Sequence, residues 1–287
     1  MQIIKTIQEI QNQIIALKRE GKKIGFAPTM GALHEGHVSL IRQSRRENDV
    51  TVCSIFVNPT QFNDPKDFEK YPITLESDMQ KLIAAKCDIL FLPAVAEMYP
   101  KGYKNPKALD FGFLAETLEG EWRPGHFAGM AQIVEKLLRA VTPDRLYMGQ
   151  KDYQQAMICS DMIRQLRLKT RLVLCPIKRE KDGLAMSSRN VRLDKKSRAK
   201  AVEISKLLRS IKASIRRRST VDGQRIADIE HRASNRLTSL PEFKVEYVAI
   251  RNARTLKPVK TMSDRTPLVA LVAAWIGGVR LIDNMLL

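Results

Sequence analysis

Apolar positions recur along the first 175 residues with two alternating periods. Residues 4–19 carry them at helical spacing, Ile24–Ala27 reads as the first strand, and Gly36–Glu47 returns to helical spacing. The run Thr51-Val52-Cys53-Ser54-Ile55-Phe56-Val57 is β-rich and nearly continuous in apolar residues, as expected of a strand buried on both faces. A helix over 74–86 leads to a strand at Ile89–Leu92, stopped by Pro93. Beyond a Gly/Pro-rich stretch the pattern predicts a helix over 128–141, a strand at Arg145–Met148, a helix over 152–166 and a strand at Arg171–Cys175. Strands separated by helices imply right-handed crossovers, so the fold class is α/β: a Rossmann-like parallel sheet flanked by helices. Past Pro176 the character shifts. Helical stretches over 195–217 and 221–238 precede strands at Val245–Ile250, Leu268–Trp275 and, after Gly277-Gly278, Val279–Ile282. Short turns between successive strands predict a smaller antiparallel α+β domain over 176–287, beside a first domain over 1–175.

In an open parallel sheet, ligands bind beyond the carboxyl ends of the strands. Three polar segments fall there: Thr29–His37, Asn58–Gln61 and Gly149–Asp152. The first is the richest. Pro28-Thr29-Met30-Gly31-Ala32-Leu33-His34-Glu35-Gly36-His37 is a glycine turn that opens a helix, where free backbone N–H groups and the helix dipole favour an anion. His34 and His37, three residues apart in the first turn, share a face and can reach one oxyanion. The H-x-G-H form marks enzymes that attack the α-phosphorus of a nucleoside triphosphate. Alone, it is equally compatible with a surface helix start or half a metal site. Zinc is disfavoured, because a zincin helix spaces its histidines by four and no third His or Cys lies nearby.

Composition adds three constraints. With 287 residues and 44% hydrophobic content, the chain can bury a large core and divide into two domains. No apolar run approaches a membrane span, and Met1-Gln2-Ile3-Ile4-Lys5 reads as amphipathic helix without a signal peptide's apolar core, which predicts a cytoplasmic protein. Cys53, Cys87, Cys159 and Cys175 lack paired spacing and read as buried thiols. The net charge of +18 concentrates in the second half, at Lys195-Lys196, Arg198, Lys200 and Arg216-Arg217-Arg218. Such a field can attract nucleic acid, a membrane surface or polyphosphate. A solvated helix face is favoured over nucleic acid, because Ala201, Ile204, Leu207, Leu208 and Ile211 keep helical spacing through the same segment and no aromatic residues interleave.

Six blocks, in order, carry a resemblance along nearly the whole chain: PTMGALHEGH at 28–37, SIFVNPTQF at 54–62, YPITLESD at 71–78, LEGEWRPGHF at 118–127, PDRLYMGQKDYQQ at 143–155 and DGLAMSSRN at 182–190. The chain resembles the pantoate–β-alanine ligases of the nucleotidylyltransferase superfamily. A different adenylyltransferase of that superfamily would share His34 and His37 but lack Asn58, Gln61 and Gln155 together. The resemblance implies a two-step, ATP-dependent condensation of D-pantoate with β-alanine through pantoyl-adenylate, with pyrophosphate and then AMP released. It implies Mg2+ bound with the nucleotide, and a homodimer.

It also distributes roles. His37, His34 and Lys151 are the implied catalytic residues, stabilising negative charge on the phosphates. A carboxylate nucleophile with a pKa near 4 needs no base for the first step. The implied ATP site runs through Met30, Gly31, Ala32, Leu33, His34, Glu35, Gly36 and His37, then Gly149, Gln150, Lys151 and Asp152. Lys178, Met186, Ser187, Ser188 and Arg189 complete it, the last three on a loop over 182–190 that clamps the β- and γ-phosphates. Gln61, Gln155, Asn58 and Met30 are implied for pantoate, with Phe62 as a wall. Gln154 points elsewhere and reads as a surface side chain. Arg123 and His126 are as compatible with a turn as with substrate. Asp78 is the carboxylate implied for a metal, though Asp78 and Glu76 also suit a helix N-terminus. Two positions depart from the family pattern: Gln150 replaces a usual Glu, and Lys178 an aliphatic residue whose backbone is thought to meet adenine.

Overall fold

Every residue of the strand Val50–Ile55 is buried, and its side chains divide strictly between two cores. Val50 and Val52 belong to one cluster, while Cys53 and Ile55 belong to another. This period of two, repeated in the neighbouring strands, is what a sheet covered on both faces demands. The computed structural model describes residues 1–61, 69, 71–100, 102, 109–216, 223–259 and 266–287. Within them the chain divides into two compact units, Met1–Gln150 with Gln154–Pro176, and Lys151–Tyr153 with Ile177–Leu287.

The first unit holds six strands: β1 (Gln2–Ile4), β2 (Ile24–Thr29), β3 (Val50–Ile55), β4 (Ile89–Phe91), β5 (Arg145–Gly149) and β6 (Arg171–Cys175). They pair in the order β1-β4-β3-β2-β5-β6, parallel throughout. Its helices are α1 (Ile7–Arg19), α2 (Glu35–Glu47), α3 (Leu75–Ala84), α4 (Val95–Met98), α5 (Phe113–Glu116), α6 (Glu119–Trp122), α7 (His126–Val141) and α8 (Tyr153–Gln165). One face of the sheet packs Phe26, Val52, Phe91 and Leu146 with Ile10 and Ile14 of α1 and Ile133 and Leu137 of α7. The other packs Ala27, Cys53, Leu90 and Tyr147 with Val38 and Ile41 of α2 and Leu82 of α3. β2 lies between β3 and β5, so the direction of winding reverses at its carboxyl end. That is the switch point where the α/β rule places a ligand.

The opening residues correct the sequence-based expectation of an amphipathic helix from Met1. Gln2–Ile4 pairs with Ile89–Phe91 as β1, and the helix starts only after Thr6, whose Oγ1 accepts the Glu9 N–H at 3.2 Å. Three residues are too few to show a period, so only the partner strand distinguishes the two states.

In the second unit, β7 (Phe243–Asn252), β8 (Leu268–Ile276) and β9 (Val279–Leu286) form an antiparallel sheet; α10 (Val202–Arg216) and α11 (Gly223–Thr238) cover it, preceded by the short α9 (Lys195–Lys200). The helix expected over 195–217 is interrupted at Ala201, after Asp194 caps α9 by accepting the Ser197 N–H at 2.9 Å. Ala201, Ile204, Leu207, Leu208 and Ile211 are buried against the sheet while Lys206 and Arg209 are exposed. Arg217 and Arg218 lie outside the described residues. Gly277 and Gly278, both left-handed, close the two-residue β8–β9 hairpin, and a Cβ on Gly277 would lie 2.5 Å from Ser197 Oγ.

Candidate active site

The turn after β2 is built from two consecutive left-handed residues, Gly31 (φ 81°) and Ala32 (φ 49°). Asp78, in the first turn of α3 and only 1% exposed, holds it there. Its Oδ2 accepts the Ala32 N–H at 2.8 Å and its Oδ1 the Leu33 N–H at 2.7 Å. Asp78, expected to bind a metal, here engages backbone amides through both carboxylate oxygens within the core. Among the described residues, no group of three or more His, Cys, Asp or Glu side chains is placed to hold a metal ion.

His34 then caps α2. Its Nδ1 accepts the Gly36 N–H at 3.1 Å, and His37 Nδ1 accepts the His34 N–H at 3.3 Å. A ring nitrogen that accepts carries no proton, so in the neutral form both imidazoles hold theirs on Nε2. The ring centroids are 4.1 Å apart with the planes tilted by 40°. The expected seat of free backbone amides is therefore corrected. Ala32, Leu33, His34 and Gly36 donate internally, and the turn presents a pair of tautomer-locked imidazoles instead. Met30 is half-buried, and Glu35 is exposed, where its carboxylate pairs with Arg42 at 2.7 Å.

The second segment is the short 3-10 turn Pro59–Gln61 after β3. Asn58, expected to touch substrate, is 1% exposed and engaged: Oδ1 accepts the Tyr99 hydroxyl at 2.7 Å and Nδ2 donates to the Gly129 carbonyl at 3.2 Å. It fastens the turn to α7. Gly129 permits the approach, since a Cβ there would lie 2.1 Å from the Thr60 carbonyl oxygen. Gln61 itself is half-buried, and Phe62 lies outside the described residues.

His126 and Arg123 complete the support. Arg123 Nη1 stands 3.1 Å from His126 Nε2, and a guanidinium can only donate. The ring proton is thus on Nδ1, which donates to the Gln61 carbonyl at 3.0 Å. Arg123 also lies 3.8 Å from the Glu119 carboxylate. Gln154 corrects its reading as a surface residue. Buried to 2% exposure, it accepts the Glu119 N–H at 3.1 Å and donates to the Leu114 and Thr117 carbonyls at 2.7 and 2.8 Å. The segment 114–126 thus ties the turn carrying Gln61 to the start of α8, which carries the half-buried Gln155.

In the second unit, Lys151 is largely buried, with Nζ 3.7 Å from the exposed Asp152 carboxylate. Asn284 Nδ2 donates to its carbonyl at 2.9 Å, and the Tyr153 hydroxyl donates to the Ala253 carbonyl at 2.6 Å. Residues 178–186 form a small hairpin with Gly183 at φ 100° and a bridge between Arg179 and Ala185. Lys178 is exposed and its carbonyl accepts the Met186 N–H at 3.0 Å, so its backbone oxygen already has a partner. Ser187 Oγ accepts the Arg189 N–H at 3.3 Å, opening the short helical turn Ser188–Arg192. The Arg198 guanidinium holds the Asp182 carboxyl below its ordinary range. Burial pushes the Asp283 carboxyl upward, and the paired Arg179 guanidinium pulls it back. In the first unit, Gly149 and Gln150 stand half-buried at the end of β5.

Sequence reasoning missed the roles of Asp78, Gln154, His126 and Asn284 in holding these segments. Each acts on a backbone group 35 to 133 residues away, at a separation that spacing along the chain does not register.

The chain is similar to known proteins along nearly its whole length. A Cytophaga hutchinsonii pantothenate synthetase is 45% identical over 284 residues, spanning 99% of this chain and 98% of the relative. One from Moorella thermoacetica is 44% identical over 288 residues, spanning 100% and 99%. The solved Thermus thermophilus pantothenate synthetase superposes with a TM-score of 0.89 at 38% identity, covering 99% of both chains. A Francisella tularensis pantoate-beta-alanine ligase, solved with beta-gamma ATP and beta-alanine, gives 0.79 at 36% identity, covering 100% of this chain and 97% of that one. The family profile described as Pantoate-beta-alanine ligase matches residues 2–286. With a family match from β1 to the end of β9, the chain belongs to the pantoate-beta-alanine ligases.

Proposed function

We infer that this chain joins pantoate to β-alanine in an ATP-dependent amide synthesis through a pantoyl-adenylate. A pantoate carboxylate oxygen attacks the α-phosphorus, forming the acyl-phosphate bond as pyrophosphate departs. The β-alanine amine then attacks the acyl carbon, the acyl-oxygen bond breaks, the amide forms, and AMP leaves with the amine proton passing to solvent or phosphate.

One observation carries the adenylation step: two imidazoles at the switch point with both Nδ1 atoms accepting from the backbone. Their Nε2–H groups suit growing phosphate charge, a task of electrostatic stabilisation that asks for fixed donors and no base. In this reading His34, His37 and the Lys151 ammonium meet the triphosphate, and Ser187, Ser188 and Arg189 take the departing pyrophosphate. The turn from Met30 to Gly36, with Gly149, Gln150, Asp152, Lys178 and Met186, lines the rest of the ATP site. Gln61 and Gln155 bind pantoate, and Asn58 positions Gln61. Mg2+ enters with the nucleotide phosphates, for the described residues offer it no carboxylate cluster. Family resemblance adds a cytoplasmic homodimer. Among the described residues no helix is long and apolar enough to cross a membrane.

The test separates the half-reactions. With ATP and D-pantoate alone, pyrophosphate is released in a single turnover and a pantoyl-adenylate is trapped; AMP release then requires β-alanine. His37→Ala and Lys151→Ala each suppress the pyrophosphate burst. AMP formation without pantoate, or an undiminished burst in both variants, refutes the reading.

A further inference from the structure

Near the end of the chain, two adjacent polar residues of β9 are almost fully buried: Asp283 at 4% and Asn284 at 2% exposure. Burying a charge and an amide is costly unless each is fully engaged. Here the engagements have a direction. Asp283 and Asn284 are neighbours in a strand, so their side chains leave opposite faces of the sheet. On one face Asp283 takes Arg179 in a two-pronged ion pair, Nη1 to Oδ2 at 2.6 Å and Nη2 to Oδ1 at 2.9 Å. The same guanidinium donates to the Gly183 carbonyl at 3.1 Å and the Asn284 carbonyl at 3.3 Å. On the other face Asn284 Nδ2 donates to the Lys151 carbonyl at 2.9 Å. The Asn284 N–H closes the connection on Asp283 Oδ1 at 2.7 Å.

A continuous buried path therefore runs from Gly183, at the base of the 182–190 loop, through Arg179, Asp283 and Asn284 to Lys151. We propose that Asp283, Asn284 and Arg179 are positioning residues for adenylation, a hub that fixes Lys151 in register with the Ser187-Ser188-Arg189 loop. This rests on the reading above that Lys151 and the loop meet the ATP phosphates. A planar, two-pronged pair suits the task, since it fixes angle as well as distance. The lysine is then aimed by its own backbone, which leaves the ammonium to the substrate.

Asn284→Asp tests the hub without changing its shape, because a carboxylate cannot donate to the Lys151 carbonyl. The readout is the single-turnover pyrophosphate burst with ATP and D-pantoate, in the full chain and again in a Lys151→Ala background, followed to completion. Loss of one aligned hydrogen bond at a positioned group is expected to slow the burst by about tenfold. The KM for β-alanine stays unchanged. In the Lys151→Ala background Asn284→Asp should have no further effect, since a residue acting only through the lysine has nothing left to position. Asn284→Ser, too short to reach the carbonyl, serves if the aspartate variant does not fold. Arg179→Lys, which keeps charge but loses the fork, should slow the burst in the same direction. If Lys151→Ala slows the burst but Asn284→Asp is neutral, or costs the same factor in both backgrounds, the hub is refuted alone. An undiminished burst in Lys151→Ala refutes the lysine reading, and the hub with it.

Discussion

Replacing Asp78 with asparagine keeps the shape of the side chain and removes its charge. In the native turn two carboxylate oxygens accept from Ala32 and Leu33 at 2.8 and 2.7 Å, at 1% exposure. An asparagine can satisfy one amide; its NH2 must face the other. The loss is one bond to a charged acceptor, about 1.5–3 kcal/mol, plus an unsatisfied buried N–H, about 1–3 kcal/mol. A combined cost of about 4 kcal/mol is a large part of a typical stability of roughly 5–15 kcal/mol. At about 2–4 °C per kcal/mol for a unit of this size, melting should fall by about 8–16 °C. The same turn aims His34, so the pyrophosphate burst should slow as well. Thermal melting by circular dichroism and the burst, measured across a Mg2+ titration, form the assay. Melting lowered by less than about 2 °C, with a burst restored by excess Mg2+, would refute the brace and favour a metal ligand.

Three further outcomes follow from other contacts. In Gly129→Ala the new Cβ meets the Thr60 carbonyl oxygen at 2.1 Å, so the 58–61 turn must move away from α7; steady-state kinetics should show the KM for pantoate raised about tenfold with that for ATP unchanged. His126→Phe deletes the donor to the Gln61 carbonyl and should raise the pantoate KM selectively, while His126→Asn, whose amide can donate like Nδ1, recovers part of the loss; equal KM values in both variants would exclude the contact. Burial raises all four thiols, with Cys87 and Cys159 pushed to about 12 and Cys175 to about 11, so the native protein should react with almost no thiol reagent at pH 8 and with all four sites in denaturant. Unfolded thiols ionise at about 8.5. Because the folded values are higher, this contribution to stability is complete below that pH and lost as pH rises toward 12, so melting temperatures should decline from about pH 9 upward.

What was legible in the sequence was what repeats or what is contiguous. The all-apolar run of β3 announced a strand covered on both faces, and the three-residue spacing of His34 and His37 put both rings at one helix start. β1 was illegible because it is three residues long and exists only through β4. The direction of the amide donors was also hidden. Whether Ala32 and Leu33 face an anion or an internal carboxylate depends on a residue 45 or 46 positions later. Gln154 and Gln155 are adjacent, and the helix decides that one is structural and the other half-exposed. Spacing can assign a residue to a face; only the partner on that face gives it a task.

The short excursion of Lys151–Tyr153 bears on how such chains can be recombined. The backbone passes between the two units at 150/151, 153/154 and 176/177, so the second unit is not a contiguous segment that can be cut out. A chimera joined at residue 176 would inherit its 151–153 triplet from one parent and the surface that receives it from the other. Such a graft should work only where the parents agree on the Tyr153 hydroxyl at the Ala253 carbonyl and the Asn284 amide at the Lys151 carbonyl. Three residues thus act as a compatibility lock on any graft made at that joint.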